Sequence, residues 1–216
     1  MNLGKISGGN MMSNRYYELY KKHCEELEEM MGRYNIGSEY PKKLKGAMTT
    51  ELLRQEITKF LDDNNEPFKT SAIDSYIAGS KYEYDLLIVK EDAKPYMGLV
   101  YQPDDIIAVI ESKAGGLFDL EADTNNIARA ANRAIELNSD ICFGYITISE
   151  NVPANSHNSQ GNPTVKHWDL TQQYLSDKIQ GKTVIYAVTL RKGKEICEEG
   201  SDDEFYDFVK HLIGKH

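Results

Sequence analysis

Two aliphatic runs, each with a carboxylate at one end, constrain this chain more than any other feature. In Glu83-Tyr84-Asp85-Leu86-Leu87-Ile88-Val89 an acid stands at the head of an apolar strand. In Asp105-Ile106-Ile107-Ala108-Val109-Ile110-Glu111-Ser112-Lys113 a second apolar strand closes on Glu-x-Lys. Side chains alternate across a strand, so Glu111 and Lys113 share a face and Ser112 points away. If the two strands pair, Asp85, Glu111 and Lys113 converge at one end of a sheet. Carboxylates at a buried strand end are costly unless a metal or a cation pairs with them. Here a lysine is built in.

The rest of the chain supplies the surroundings of these strands. Three- and four-residue spacing of Tyr16, Leu19, Tyr20, Leu27, Met30 and Met31 predicts a helix over 13–31, stopped by Gly32. A loop containing Pro41 is expected over 33–45. A second helix is expected after Gly46, capped by Thr49 or Thr50, with Leu53, Ile57, Phe60 and Leu61 as its apolar face. Strands are expected over 69–78, 82–90 and 105–113, the first two forming a hairpin through Gly79-Ser80. Then follow a helix over 120–137, a strand over 141–149, a polar loop over 150–163, a helix over 170–179, a strand over 183–190 and a helix over 202–213. Antiparallel strands followed by strand–helix–strand crossovers indicate an α/β fold, a central mixed β-sheet flanked by helices. The expected division is an N-terminal helical extension, 1–45, and one domain, 46–216.

Composition narrows the class. The 216 residues are 40% hydrophobic and 27% charged, ordinary for a globular chain. The longest aliphatic run, Ile106 to Ile110, is far short of the ~20 residues of a membrane helix, so no membrane partner is expected. The start, MNLGKISGGNMMS, has no apolar core of a secretory signal, and Cys24, Cys142 and Cys197 form no CxxC pair. A cytoplasmic setting is therefore expected. The net charge of −9 speaks against tight, metal-free, non-specific binding to nucleic acid.

The chemistry suited to two carboxylates and a lysine at a strand end is metal-assisted phosphodiester hydrolysis. Mg²⁺ is a hard cation that takes oxygen ligands and keeps several waters, and Mn²⁺ is expected to substitute for it. The bland alternative makes Asp85 a strand cap and Glu111–Lys113 a surface ion pair, worth ~0–1 kcal/mol. Three details favour the site. Glu111-Ser112-Lys113 is the only Glu-x-Lys in the chain, it follows a five-residue aliphatic run, and Gly115-Gly116 then opens the backbone. Asp92-Ala93-Lys94 has the same spacing of acid and lysine but stands in a polar stretch before Pro95.

These residues resemble the PD-(D/E)XK, or restriction-endonuclease-like, nucleases, in which an Asp on one strand and a Glu-x-Lys on the next form the site. Tyr84 stands where the proline of that pattern is usually written. A closer likeness is to a family of bacterial domains within the superfamily, carried here by Gly46, Glu51-Leu52-Leu53-Arg54, Ser80 to Asp85, Pro103 and Ile107 to Lys113. The likeness spans roughly residues 46 to 150. It implies a Mg²⁺-dependent endonuclease acting on DNA, in a restriction or other defence role. Asp85 and Glu111 would be metal ligands, Lys113 would attend the attacking water, and an auxiliary acid would come from the helix before the sheet. Glu51 holds that place in the motif, and Glu56, which shares a face with Leu53 and Phe60, competes for it. Enzymes of this fold that cut both strands often act as a homodimer. The amphipathic first helix offers either such an interface or a cover for the domain's own core.

Arg129 and Arg133, one helical turn apart near Asn125, Asn126 and Asn132, are candidates for phosphate contacts, though such spacing more often marks a solvated face. Lys42, Lys43, Lys45 and Lys69 are weaker candidates. Gly181-Lys182-Thr183 precedes a strand instead of opening a helix, which makes it a turn rather than a phosphate loop. His157 and His167 lack metal-ligand spacing, and Trp168 and the tyrosines suit a core as well as a base-stacking surface. Two rivals to a DNA nuclease stand beside it: a non-catalytic nucleic-acid-binding or scaffold module of the same fold, and an RNA-directed nuclease.

Overall fold

The computed structural model describes residues 15–34, 40–114, 120–152, 167–192, 195–199 and 202–215. In chain order the elements are α1 (Arg15–Tyr34), α2 (Tyr40–Asp63), β1 (Phe68–Thr70), β2 (Ser75–Ile77), β3 (Glu83–Tyr84), β4 (Leu86–Lys90), β5 (Val100–Tyr101) and β6 (Ile106–Lys113). They continue with α3 (Leu120–Leu137), β7 (Cys142–Val152), α4 (His167–Lys178), β8 (Thr183–Lys192), β9 (Glu195–Glu199) and α5 (Asp202–Leu212). A six-stranded sheet runs β1-β4-β6-β7-β8-β9, and a three-stranded one runs β3-β2-β5. In the larger sheet β1, β4 and β6 are antiparallel, β6, β7 and β8 are parallel, and β9 is antiparallel to β8. The fold is thus mixed α/β, as the order of elements predicts.

The central strands are apolar on both faces because helices cover both. On one side Leu86, Ile88, Ala108 and Ile110 meet Leu53, Ile57 and Leu61 of α2, Phe205, Phe208 and Val209 of α5, and Tyr16 of α1. On the other side Leu87, Val89, Val109 and Phe143 meet Ile127, Ala128, Ala131 and Ala134 of α3 and Leu175 and Ile179 of α4. Helices α3 and α4 are the crossovers between parallel strands, which puts both on one face. The alanines of α3 let that helix lie close to the sheet.

Several boundaries differ from the sequence expectation. Helix α1 runs through Gly32 to Tyr34. Helix α2 begins at Tyr40, with Pro41 in its first turn, where a missing N–H costs nothing. Thr49 and Thr50 are therefore mid-helix rather than caps, their hydroxyls bonding back to the carbonyls of Lys45 at 2.7 Å and Gly46 at 3.3 Å. The division at 45/46 consequently falls inside one helix. Tyr16 is only 1% exposed, donates its hydroxyl to the Thr49 carbonyl at 2.9 Å and lies 5.6 Å from the Phe205 ring. The N-terminal helix thus contributes Tyr16 to the core, as expected of a cover for the domain.

The strand expected over 69–78 divides at Asp74, whose φ of 58° turns the chain from the larger sheet into the smaller one. The strand expected over 82–90 divides at Asp85, where the chain passes from β3 in the smaller sheet to β4 in the larger one. The hairpin through Gly79 is present, with Ser75 opposite Tyr84 and Gly79 at φ 85°. Strands β5 and β9 were not anticipated: one is two residues long, and the other, Glu-Ile-Cys-Glu-Glu, has no apolar run. The polar loop begins later than expected because β7 continues to Val152, and the remainder of it lies outside the described residues. Among the described residues no helix is long and apolar enough to cross a membrane.

Gly144 on β7 shows how closely α5 is seated. A Cβ there would stand 2.7 Å from Leu212 Cδ2 and 3.2 Å from Phe208 Cζ. Gly144→Val is expected to lower stability by about 1–3 kcal/mol through overpacking, measured by urea unfolding.

Candidate active site

The register between β4 and β6 builds the site. Leu86 lies opposite Ile110 and Leu87 opposite Val109, so the chain just before β4 comes alongside the end of β6. The Ser112 backbone N–H donates to Asp85 Oδ2 at 2.8 Å, which fixes that carboxylate across the strand gap. Val109 belongs to the layer under α3, and strand alternation carries Glu111 and Lys113 to the same side. Ser112 turns to the opposite face and is buried. Lys113 Nζ donates to Glu111 Oε1 and stands 3.9 Å from Asp85 Oδ2. All three side chains are partly sunk, 27% exposed at Asp85, 19% at Glu111 and 36% at Lys113. They meet at the carboxyl ends of the parallel strands, where open α/β sheets form their crevices.

The electrostatics are those of a crowded acid pair. Burial pushes the Asp85 carboxyl above its ordinary value, against the opposing pull of Lys113 and the Ser112 N–H. Burial and then the neighbouring Asp85 push Glu111 from 4.5 up to about 7. Lys113 loses from burial but gains more from the two carboxylates, and its ammonium is held above the ordinary range. A further acid acts here that sequence reading did not single out. Asp123, in the first turn of α3, raises both Glu111 and Lys113 through its charge. Its only sequence signal was a place in the first turn of the helix after the site strand, where an acid ordinarily complements the helix dipole.

Glu51 is not brought to this cluster. Helix α2 packs across the opposite face of the sheet. The Glu51 carboxylate there accepts from Arg54 Nε at 2.8 Å, Arg54 Nη2 at 2.7 Å and Gln55 Nε2 at 2.9 Å. The Arg54 guanidinium holds it below the usual range. Glu56 is the buried acid of α2, paired with Arg15 at 3.5 Å, again on the far side of the sheet. A helix pattern shows which residues share a face, but it does not show which side of a sheet that face will meet.

The basic candidates separate in the same way. Arg133 donates to the Gly79 carbonyl at 2.7 Å and to Glu136 at 3.0 Å, pinning the β2–β3 hairpin on α3. Arg129 is exposed beside it. Asn132 joins α3 to the end of α4 by bonds to the Lys178 carbonyl at 2.8 Å and the Gln180 N–H at 2.9 Å. Asn125 is half-buried and Asn126 exposed. Lys45 pairs with Glu28 at 2.9 Å, and Lys69 donates to the carbonyls of Glu91 and Ala93. Gly181-Lys182 is a turn into β8, as expected. His157 and the side chains of Lys42, Lys43, His167 and Trp168 lie outside the described residues.

No protein-family model matches the chain, and no curated protein does. Among the described residues no three His, Cys, Asp or Glu side chains form a ready-made metal cage. Asp85 and Glu111 nevertheless present carboxylate oxygens against a single ammonium, and each destabilises the charge of the other. That donor set fits Mg²⁺, which is held by one or two carboxylates and completes its shell with water.

The raised Glu111 fixes the sign of a pH effect. A carboxyl that titrates higher in the folded chain binds more protons when folded, so the contribution of Glu111 to stability is fullest below its ordinary value of 4.5 and is lost as pH rises through about 7. For the metal-free protein the loss is expected to reach up to about 3 kcal/mol from this group. Glu111→Gln should flatten the dependence and stabilise the chain at pH 8, measured by thermal unfolding in EDTA across pH 5 to 8. A melting temperature of the metal-free wild type that rises over that interval would contradict the assignment.

Proposed function

We propose that this chain is a metal-dependent endonuclease of restriction-endonuclease-like fold that hydrolyses phosphodiester bonds in DNA. One observation carries the reading: Asp85 and Glu111 converge on Lys113 at the carboxyl end of β6, on the face that α3 and its Asp123 also border. The order of elements supports it. An antiparallel strand pair holds the Asp and the Glu-x-Lys, and a helix and a parallel strand follow.

In this reading Asp85 and Glu111 hold Mg²⁺, or Mn²⁺ in its place. The bound ion supplies charge neutralisation at the phosphate and a more acidic water. The Ser112 N–H keeps the Asp85 carboxylate turned toward the shared position and so acts as a positioning group. Lys113 stands between the two acids as an ammonium, able to orient the attacking water and to steady negative charge growing on the phosphate oxygens. Burial strengthens each of these interactions because little bulk water screens them.

Supercoiled plasmid incubated with Mg²⁺ or Mn²⁺ is expected to be nicked or linearised, and EDTA to abolish cleavage. Lys113→Ala is expected to slow the reaction by about 10²-fold or more, the usual scale for a group acting on a proton or a developing charge. Asp85→Asn is expected to remove metal dependence together with activity. Cleavage with neither metal would leave a module of this architecture without chemistry, and equal cleavage by Lys113→Ala would overturn the assigned site.

A further inference from the structure

Helix α3 leaves the site with Asp123 in its first turn, and farther along the same helix a groove of about 510 Å³ opens, lined by Lys81, Tyr82, Arg129, Arg133 and Glu136. Two chain paths bound the backbone separation between the groove and the residues at the site. Asp123 to Arg129 is six residues of helix, or ~9 Å at 1.5 Å per residue. Asp85 to Lys81 is four residues of nearly extended chain, or ~13 Å. The groove is thus a near neighbour of the carboxylates, on the same side of the larger sheet.

Its lining brings cations together on one concave surface. Elsewhere many lysines and arginines are matched by acids, as in Lys45–Glu28, Arg54–Glu51, Lys59–Asp63, Lys210–Asp207 and Lys215–Glu66, while Lys21, Lys90, Lys94 and Lys182 stand singly on the exposed surface without an ion pair among the described residues. In the groove the single acid, Glu136, is taken by Arg133, whose guanidinium is also committed to the Gly79 carbonyl. Arg129 is exposed and has no ion pair or hydrogen bond among the described residues. Lys81 is exposed as well, and its contact is with the face of the Tyr82 ring, 5.5 Å from the centroid. Two unmatched cations therefore line a concave surface in a chain of net charge −9.

We propose that this groove holds the phosphodiester backbone of the DNA strand being cut, with Lys81 and Arg129 each meeting a phosphate. The inference rests on the nuclease reading of the neighbouring site. At a rise of 3.4 Å per nucleotide, a separation of about 10 Å puts these contacts roughly three nucleotides from the scissile phosphate. Arg133 serves the groove indirectly, by holding the hairpin that carries Lys81 against α3. Contacts of this kind set register along the strand and carry no sequence information.

The test is binding of a fluorescein-labelled DNA duplex in EDTA, followed by anisotropy over a series of KCl concentrations. The Lys81→Ala/Arg129→Ala variant is expected to bind about tenfold more weakly at low salt, with the slope of log affinity against log salt reduced by about 1.8. Lys182→Ala, an exposed lysine at the amino end of the parallel strands, is expected to behave as wild type. Wild-type affinity and slope in the double variant, an equal loss in Lys182→Ala, or no binding by the wild-type chain would each overturn the proposal. Plasmid cleavage, run in parallel, keeps the two readings apart. A chain that binds through this pair and never cuts loses the nuclease reading and keeps the groove. A chain that cuts while the double variant binds unchanged loses the groove and keeps the nuclease.

Discussion

The pairing of β4 with β6 is the constraint on which the rest of the molecule depends. Their register, with Leu86 opposite Ile110, places Asp85 beside the Ser112 N–H and leaves Glu111 and Lys113 on a common face. A one-residue slip of β4 would send Leu87 to the other layer and carry Asp85 off the face that Glu111 and Lys113 share. The register is held because both strands are buried on both faces, between α2 and α5 on one side and α3 and α4 on the other. The same burial that secures the pairing makes its polar end expensive. Two carboxylates and one ammonium sit where the strands leave the core, and Glu111 is pushed to about 7. A chain selected only for stability would have little use for such a cluster, since an apolar set of similar volume is often as stable or more so.

Charge is distributed in keeping with that arrangement. The overall −9 comes partly from exposed acids on α1 and α5, such as Glu25, Glu26, Glu28 and Glu204, far from the cluster in the chain. Many of the chain's cations are occupied in local ion pairs or in holding elements together. Arg133 fastens a hairpin to a helix, and Lys69 ties β1 to the carbonyls of Glu91 and Ala93. The acidic total thus describes the surface as a whole and leaves open a local groove of opposite sign beside the site.

Much of this was legible beforehand. The periodicity of 120–137 and the aliphatic runs at 86–89 and 106–110 are strong local signals, and those elements form where they were expected. The start of α2 was misplaced because Pro41 reads as a breaker until one knows that it occupies a first helical turn. Strands β3 and β5 have only two residues each and owe their existence to β2 lying between them. Glu51 holds its place in a motif, and Asp123 carries no sequence signal beyond its position in the first turn of α3. Whether each reaches the site turns on which face of the sheet a helix covers, and nothing in a single helix specifies that.

What the sequence determined by itself was the character of the strands and the shared face of Glu111 and Lys113, because strand alternation is a local property of the backbone. It also determined that an acid would stand at the head of β4. The tertiary structure decided everything that required two elements to meet: the approach of Asp85 to Lys113, the addition of Asp123, the removal of Glu51 to the opposite layer, and the joining of Lys81 and Arg129 in one groove. The physical reason is range. Propensity and periodicity act over a few residues, whereas the field at a carboxylate is set by whatever charge and burial the whole fold brings within several ångströms of it.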